Sequence, residues 1–363
     1  MAKLTKYVRL SSHIMRNRFG LSGNPHFVTF FVTLRCNHKC VMCDVWGKKP
    51  CDEMTLEEVE NIFRQLKFLD AVRLSGGEPF LRKDLSEIVN IIQKHSNPLV
   101  IHITTNGFLT DAIGATLTRI NDLTRVHLKI SIDAVGINND RIRGLPGAYE
   151  RALNSLAILD EFKKKGLFVA VNQTISDKSS IEDSAELKRV CNKHKVPLLM
   201  QIAYNDSVLY ASKNNISAMP DKKGSFSPFY NFSEQELRFV LDKMLSEAKE
   251  TASLSERLVK KYYVYGLINR MVHRKAYPNP ACVALRSHLR ILPDGLVPVC
   301  LYDSTIVGDL KKQSVREVLI SDKAREAITK VKRCKGCWAE CEAVPNGIYR
   351  ADFLRALFYT SAA

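Results

Sequence analysis

The chain has 363 residues, 45% hydrophobic and 25% charged, the composition of an ordinary folded protein and not of a disordered or fibrous one. No apolar run approaches the roughly 18 residues that a membrane-spanning helix needs, and the N-terminus lacks the apolar core of a secretory signal, so a cytoplasmic location is expected. Lys plus Arg is 54 against 38 Asp plus Glu, a formal charge of +16, which points either to an anionic partner (nucleic acid, anionic lipid, nucleotide or phosphorylated sugar) or to a scattered basic surface.

The first twenty residues, "MAKLTKYVRLSSHIMRNRFG", mix apolar and basic positions at helical spacing. Such a helix either lies on a membrane surface as a peripheral contact or packs on its own protein, and packing is the commoner case. From about 27 to 204 the pattern alternates. "FVTFFVTL", "AVRLS", "LVIHITT", "VHLKISI", "LFVAVNQTI" and "PLLMQIAY" read as six buried strands. Between them, segments such as "TLEEVENIFRQLKFL" and "AYERALNSLAILDEFKKKG" repeat apolar residues at three and four and read as helices. Thr55 and Glu58 are placed to form a capping box for the first of these. Six strands alternating with helices imply a parallel sheet, either an open doubly wound one or a full or partial β/α barrel. Both architectures collect functional residues at the C-terminal ends of the strands. "CNHKCVMC" follows the first strand, "GGEP" (76–79) the second and "TTNG" (104–107) the third, and "SIDA" (131–134) closes the fourth.

Beyond 204 the alternation stops. Residues 205–232 are rich in turn formers and read as a loop or linker able to cover that rim. Two helices are expected over 233–275, then a hairpin in "LRILPDGLVPVCLY" turning at Asp294-Gly295. The expected organisation is a basic segment (1–24), a core (25–205), linker and helices (206–275), a cysteine-rich domain (276–345) and a C-terminal helix (346–363).

Ten cysteines are many for a chain expected in a reducing compartment, where clustered thiols read as metal ligands or catalytic groups. "CNHKCVMC" sets Cys36, Cys40 and Cys43 within eight positions around His38. A redox pair, a zinc site completed by His38, or three thiolates holding an iron–sulfur cube with one iron open are the readings of this spacing. Closed zinc sites take four ligands, and tetrahedral ligation by a histidine lodged between two of the cysteines is awkward.

"CNHKCVMC" followed by "GGEP" after the next strand resembles the C-x3-C-x2-C signature of radical S-adenosylmethionine enzymes over residues 25–205. The resemblance implies a partial (β/α)6 TIM-type barrel in which Cys36, Cys40 and Cys43 hold a [4Fe-4S] cluster whose open iron binds S-adenosylmethionine. It implies that Gly76, Gly77, Glu78 and Pro79 run along the methionine end of that cofactor, with Glu78 toward its amino group and the glycines permitting close approach. Met42 stands where the family has an aromatic or large apolar residue near the adenine. Asn106, Ser131 and Asp133 are further cofactor-binding candidates, and Asn172 and Gln173 are placed on the fifth strand with them.

Cys282 and Cys300 frame Gly295 in a C-x12-G-x4-C pattern, and "CKGCWAEC" adds Cys334, Cys337 and Cys341. This tail resembles the auxiliary-cluster region called SPASM or, in shorter form, twitch. It implies one auxiliary [4Fe-4S] cluster on Cys282, Cys300, Cys334 and Cys337, with Cys341 spare or a substitute; structural zinc is the rival. Cys51 is expected in a loop, and Cys191 as a small buried residue.

The expected function is that of an oxidoreductase that cleaves S-adenosylmethionine to a 5′-deoxyadenosyl radical and takes a hydrogen atom from a sugar-like, peptide or other metabolite substrate. The second cluster would assist the oxidation, and flavodoxin or ferredoxin would donate electrons. The alternatives are an RNA-modifying radical enzyme and a non-catalytic zinc-binding interaction module. Nucleic acid is not the expected partner, because no RNA-binding motif with interleaved aromatics occurs.

Overall fold

Helix α1 (Ala2–Arg18) precedes a run of alternating strands and helices in the computed structural model, which describes residues 2–20, 24–49, 51–204, 228–251, 253–334 and 337–359. The run is β1 (Phe27–Thr33), α2 (Leu56–Gln65), β2 (Ala71–Gly76), α3 (Leu85–Ser96), β3 (Val100–Thr105), α4 (Thr110–Thr118), β4 (Val126–Ser131), α5 (Gly136–Arg143), α6 (Ala148–Lys164), β5 (Phe168–Ile175), α7 (Lys178–Glu182), α8 (Ser184–Lys193) and β6 (Leu198–Ile202). Then come α9 (Glu234–Glu250), α10 (Leu254–Met271), β7 (His288–Ile291), β8 (Leu296–Pro298), β9 (Ile306–Asp309), α11 (Val315–Ile320), α12 (Asp322–Arg333) and α13 (Glu340–Tyr349). The six expected strands are present, and Thr55 and Glu58 form the expected capping box on α2.

Strand order decides between the two architectures. The sheet reads β6-β5-β4-β3-β2-β1-β7, and its registered pairs are parallel. A doubly wound sheet reverses order at a switch point. An unbroken order from β1 to β6 with right-handed crossovers sends every helix to the same side. The fold is therefore a β/α barrel left incomplete, with the helices outside. Outward residues such as Val28, Phe30, Val72, Leu74, Ile101, Ile103, Leu128, Ile130, Val169 and Val171 form one apolar cluster with the helix layer. Each such side chain contributes about 1.5–3 kcal/mol by burial.

Three expectations change. The strands are not apolar on both faces, for the residues that alternate with these are Thr29, Arg73, His102, Lys129, Asn172 and Gln201, pointing into the barrel. The expected hairpin does turn at Asp294-Gly295, where Gly295 takes φ +84° and the Leu292 N–H donates to the Leu296 carbonyl at 2.9 Å. Its arms then part: β7 joins the barrel beside β1, and β8 pairs antiparallel with β9. A partner some 260 residues away in the chain outcompetes the local one, as Phe27 registers with His288. The last helix begins at Glu340, ahead of the expected 346, and Asp352–Leu357 forms a 3-10 turn. Of the expected rim-covering stretch, residues 205–227 lie outside the described ones.

Helix α1 packs on its own protein. The Arg9 guanidinium donates to the carbonyls of Leu69 and Asn97, and His13 Nδ1 lies 3.0 Å from both Asp70 oxygens. Asn17 donates to the Ser287 hydroxyl and Arg18 to the Arg350 carbonyl. These bonds tie α1 across the end of the barrel where β1 and β2 begin.

Candidate active site at the barrel mouth

The loop carrying Cys36, Cys40 and Cys43 leaves the C-terminal end of β1 and is pinned by backbone hydrogen bonds. The N–H groups of Gly77 and Glu78 donate to the carbonyls of Thr33 and Arg35, both at 2.8 Å. On the other side, Lys39 and Val41 donate to the carbonyls of Arg143 and Ile142 at the end of α5. The Asn106 amide donates to Asn37 at 2.7 Å. A side chain on Gly76 or Gly77 would overlap the backbone of Thr33 or Arg35. Those glycines are thus required by the approach of the cysteine loop itself, a role the resemblance had given to approach of the cofactor.

Glu78 is 1% exposed. It accepts from the Thr105 hydroxyl and the Asn106 N–H, both at 2.7 Å, and from the Phe80 N–H at 3.1 Å. Burial raises its pKa to about 6, against the pull of those donors. Pro79 is buried and opens the 3-10 turn that follows.

Asp133 and Gln173 do not line the cavity. Asp133 sits 3.0 Å from Arg143 Nε and accepts from the Thr174 N–H at 2.7 Å. Burial raises its pKa while Arg143 opposes the rise. Gln173 donates to the carbonyls of Asp133 and Ser180. Both hold the rim from behind. The residue they present is Arg143, whose Nη1 reaches Cys40 Sγ at 3.6 Å. Burial disfavours its charge, yet Asp133 and Cys40 outweigh that and raise its pKa.

The triplet opens on a cavity of about 260 Å³ that also takes in Met42, Gly76, Gly77, Glu78, Asn106, Ser131 and Asn172. Its opposite wall comes from the cysteine-rich region, as Glu340 and Cys341. Sequence reasoning missed Arg73, Lys129, Thr174, Gln201 and Arg143 on its lining. For the strand residues the signal was available: Arg73 and Ser75, Lys129 and Ser131, and Asn172 and Thr174 each recur at the strand period of two.

Burial pushes the Cys36 thiol up to about 11 and Cys43 to about 12. Buried thiols without a cation stay protonated, so the donor set is one that a positively charged cluster would complete. His38 lies in the same loop with both ring nitrogens unpaired among the described residues, and burial lowers its pKa to about 3. Among the described residues no three cysteine or histidine ligand atoms of this loop come within 4.8 Å of one another. A single tetrahedral zinc at about 2.3 Å from sulfur would need sulfurs about 3.8 Å apart. So close a grouping does not occur in this loop among the described residues.

Cys282, Cys300 and Cys337 are partly buried near one another, and desolvation first, then Glu342, drives their thiol pKa upward, Cys282 to about 12. Cys334 is close enough to Cys282 to add to that rise. The Tyr302 N–H donates to Cys300 Sγ at 3.4 Å. Cys341 stands apart in facing the barrel cavity, with the Tyr204 hydroxyl 3.8 Å from its sulfur. Between Cys337 and Cys341, Trp338 is fully buried, donates to the Tyr263 carbonyl at 2.9 Å and lies under Arg270. Cys51 is partly exposed, and Cys191 is buried in the core as expected.

Comparison with known proteins agrees with this arrangement. The model of the radical SAM superfamily matches residues 30–187, and that of an iron-sulfur cluster-binding domain, SPASM, matches 282–341. Pre-heme d1 synthase of Dinoroseobacter shibae is 30% identical over 59% of this chain and 51% of its own length. Fe-coproporphyrin III synthase of Methanosarcina barkeri is 32% identical over 52% of this chain and 48% of its own. The chain thus spans about half the length of these curated relatives. Among solved structures, native anSMEcpe with bound AdoMet aligns over 92% of this chain and 96% of its own with a TM-score of 0.59 at 14% identity. Streptococcus suis SuiB bound to S-adenosylmethionine aligns over 84% and 68% with a TM-score of 0.58 at 15% identity. By its barrel, its cysteine triplet and both matched domains, the chain belongs to the radical SAM superfamily, with a C-terminal SPASM domain that implies an auxiliary iron–sulfur cluster.

Proposed function

We propose that the protein is an oxidoreductase that uses S-adenosylmethionine to take a hydrogen atom from a small metabolite, sugar-like or otherwise, and that its SPASM domain receives the electron left on the product. One observation carries this reading: a single cavity is lined both by Cys36, Cys40 and Cys43 and by Glu340 and Cys341 of the C-terminal region. A substrate lying there is within reach of both centres.

Cys36, Cys40 and Cys43 would hold the first cluster. When bound, that group would supply the one-electron reduction of a sulfonium that makes hydrogen-atom abstraction from a substrate possible. The chain's own residues set the conditions. Glu78, fixed by Thr105 and Asn106, offers a remaining carboxylate lone pair to an ammonium group. Met42 supplies an apolar contact at the mouth. Ser131 and Asn172 offer hydroxyl and amide groups lower on the wall, and the enclosure limits water around a reactive radical.

Peptide substrates remain the second reading, because solved relatives of this fold include SuiB bound to the precursor peptide SuiA. The deciding experiment follows deuterium from labelled sugars and peptides into 5′-deoxyadenosine under anaerobic, reducing conditions. Transfer from a small metabolite with one-to-one formation of an oxidised product is the expected result. Transfer only from peptides would replace the first reading by the second, and cofactor cleavage with no oxidised product would end the oxidoreductase assignment.

A further inference from the structure

Among the described residues, two cations on the inner wall of the barrel have nothing to neutralise them directly. Arg73 on β2 and Lys129 on β4 both line the cavity. Among the described residues neither makes a hydrogen bond or an ion pair; the one close contact of Arg73 is with the Phe27 ring, 5.5 Å below its guanidinium. They sit one step apart in register. Arg73 pairs with His102, and Lys129 with Thr104, two residues further along β3. At about 3.3 Å per residue, Arg73 lies about 10 Å and Lys129 about 7 Å beneath the strand ends. Both line the same cavity as the cysteine loop.

The surroundings sharpen the anomaly. His102 and His127, packed edge to face at 5.2 Å, are held neutral: burial drives His102 well below its usual range and His127 to about 4. Glu340 lines the same cavity and is felt by Lys129, but it forms no ion pair with it. Among the described residues, the carboxylate that Lys129 feels is that of Glu340, set against the two cations Arg73 and Lys129. Burial also lowers the Lys129 pKa, a cost that a well-placed anion would reverse. A fold gains little from two half-buried charges without direct partners, since an apolar side chain of similar volume is often as stable there.

We propose that Arg73 and Lys129 anchor an anionic group of the substrate, a carboxylate or a phosphate, at the floor of the barrel. The substrate is then a small acidic molecule held by its charged end, with its reacting carbon toward the cysteine loop. This rests on the preceding reading of the cavity as the place of hydrogen abstraction and adds the substrate class and the residues that select it. Other members of the lining, Ser75, Thr174 and Gln201, are neutral donors suited to the rest of such a molecule.

The test uses the reconstituted full-length protein with S-adenosylmethionine present, so that the cofactor's own carboxylate site is filled. Inorganic phosphate and succinate are titrated calorimetrically at an ionic strength fixed with chloride. One of them binds, and Arg73→Met and Lys129→Met each weaken it by about tenfold or more, the loss expected for one charged hydrogen-bond donor. Arg73→Lys keeps part of the affinity. Tighter phosphate identifies a phosphorylated substrate, and tighter succinate a carboxylic acid. Ligand-free Met variants also melt higher than the parent, by about 2 °C or more, because a half-buried charge without a direct partner is gone. Wild-type-like affinity in both Met variants, no binding of either anion, or a lowered melting point in both Met variants overturns the proposal. Failure of the radical SAM reading would register separately, as no cofactor cleavage by the unaltered protein.

Discussion

The two cysteine groups are gathered in opposite ways. The triplet at the mouth belongs to one loop, and its three thiols converge because eight consecutive residues are pinned between β1, the Gly76-Gly77 turn and the end of α5. The SPASM cysteines come from separate segments at 282, 300 and 334–341, and only tertiary packing brings them together. At the centre of that packing is Glu342, 2% exposed, bonded to Arg290 on β7 at 2.7 Å and accepting from the Leu301 N–H at 3.1 Å. The first site is built by local chain geometry and the second by the fold. The first should survive damage elsewhere, whereas loss of the second should travel into the barrel through β7.

The sharpest way to break that contrast is to remove each set. Replacing Cys36, Cys40 and Cys43 together by Ala should abolish S-adenosylmethionine cleavage and remove about half the iron, leaving a folded protein with the auxiliary cluster intact. Replacing Cys282 and Cys300 should remove the other half, spare some cleavage, end product formation and lower the melting temperature, because metal binding there is coupled to tertiary structure. Iron analysis, cleavage assays and calorimetry on the two variants decide it. If the triplet variant is the one that unfolds, the contrast is wrong.

Next in size is Glu342→Ala. It leaves Arg290 buried without its carboxylate, and breaking a buried pair from one side costs about 3–5 kcal/mol. Denaturant unfolding should show that loss with iron released from the SPASM domain first. A variant as stable as the parent would mean that the domain is held by its cluster alone.

Gly77→Ala tests the other half of the contrast. An added methyl meets the Arg35 backbone, which cannot step aside as a flexible side chain could. Overpacking of this kind costs about 1–3 kcal/mol. Because the displaced segment is the one bearing Cys36, cofactor cleavage should fall more than global stability does. Equal activity with a lowered melting point would show that the loop tolerates the shift.

The same division explains what could be read from the residues. Six strands, their helices and the triplet were legible because each is written locally, in β-branched apolar runs, in apolar residues recurring at three and four, and in a cysteine spacing. β7 was not, since "HLRI" looks like one arm of a hairpin until its long-range pairing with β1 is known. Asp133 lies just past the end of β4, but whether it faced the cofactor or Arg143 depends on α5, which no spacing reveals. Arg73 and Lys129 were present in plain sight inside apolar runs, and only a barrel with a polar, cavity-lining interior makes sense of them.

Where the two regions meet, the smallest effect should appear, and its sign is fixed by protonation. Tyr349, the last residue of α13, donates to Asp70 at 3.0 Å, the same carboxylate that holds His13 of α1. The His26 ring stacks on His13 at 3.7 Å, and burial, followed by the nearby His13, lowers its pKa to about 4. In the unfolded chain it would titrate near 6.5. Below that value the unfolded state takes up a proton that the folded state refuses, so stability is intact above about pH 6.5 and declines as the pH falls toward 4. Between pH 7 and 5.5 the contribution is about 1 kcal/mol. Replacing His26 by Phe, which keeps the stack and cannot protonate, should flatten that part of the stability curve while leaving stability at pH 7.5 within about 1 kcal/mol. An unchanged acid slope would move the sensitivity to the other buried histidines of the barrel floor, and α1 would then be fastened independently of pH.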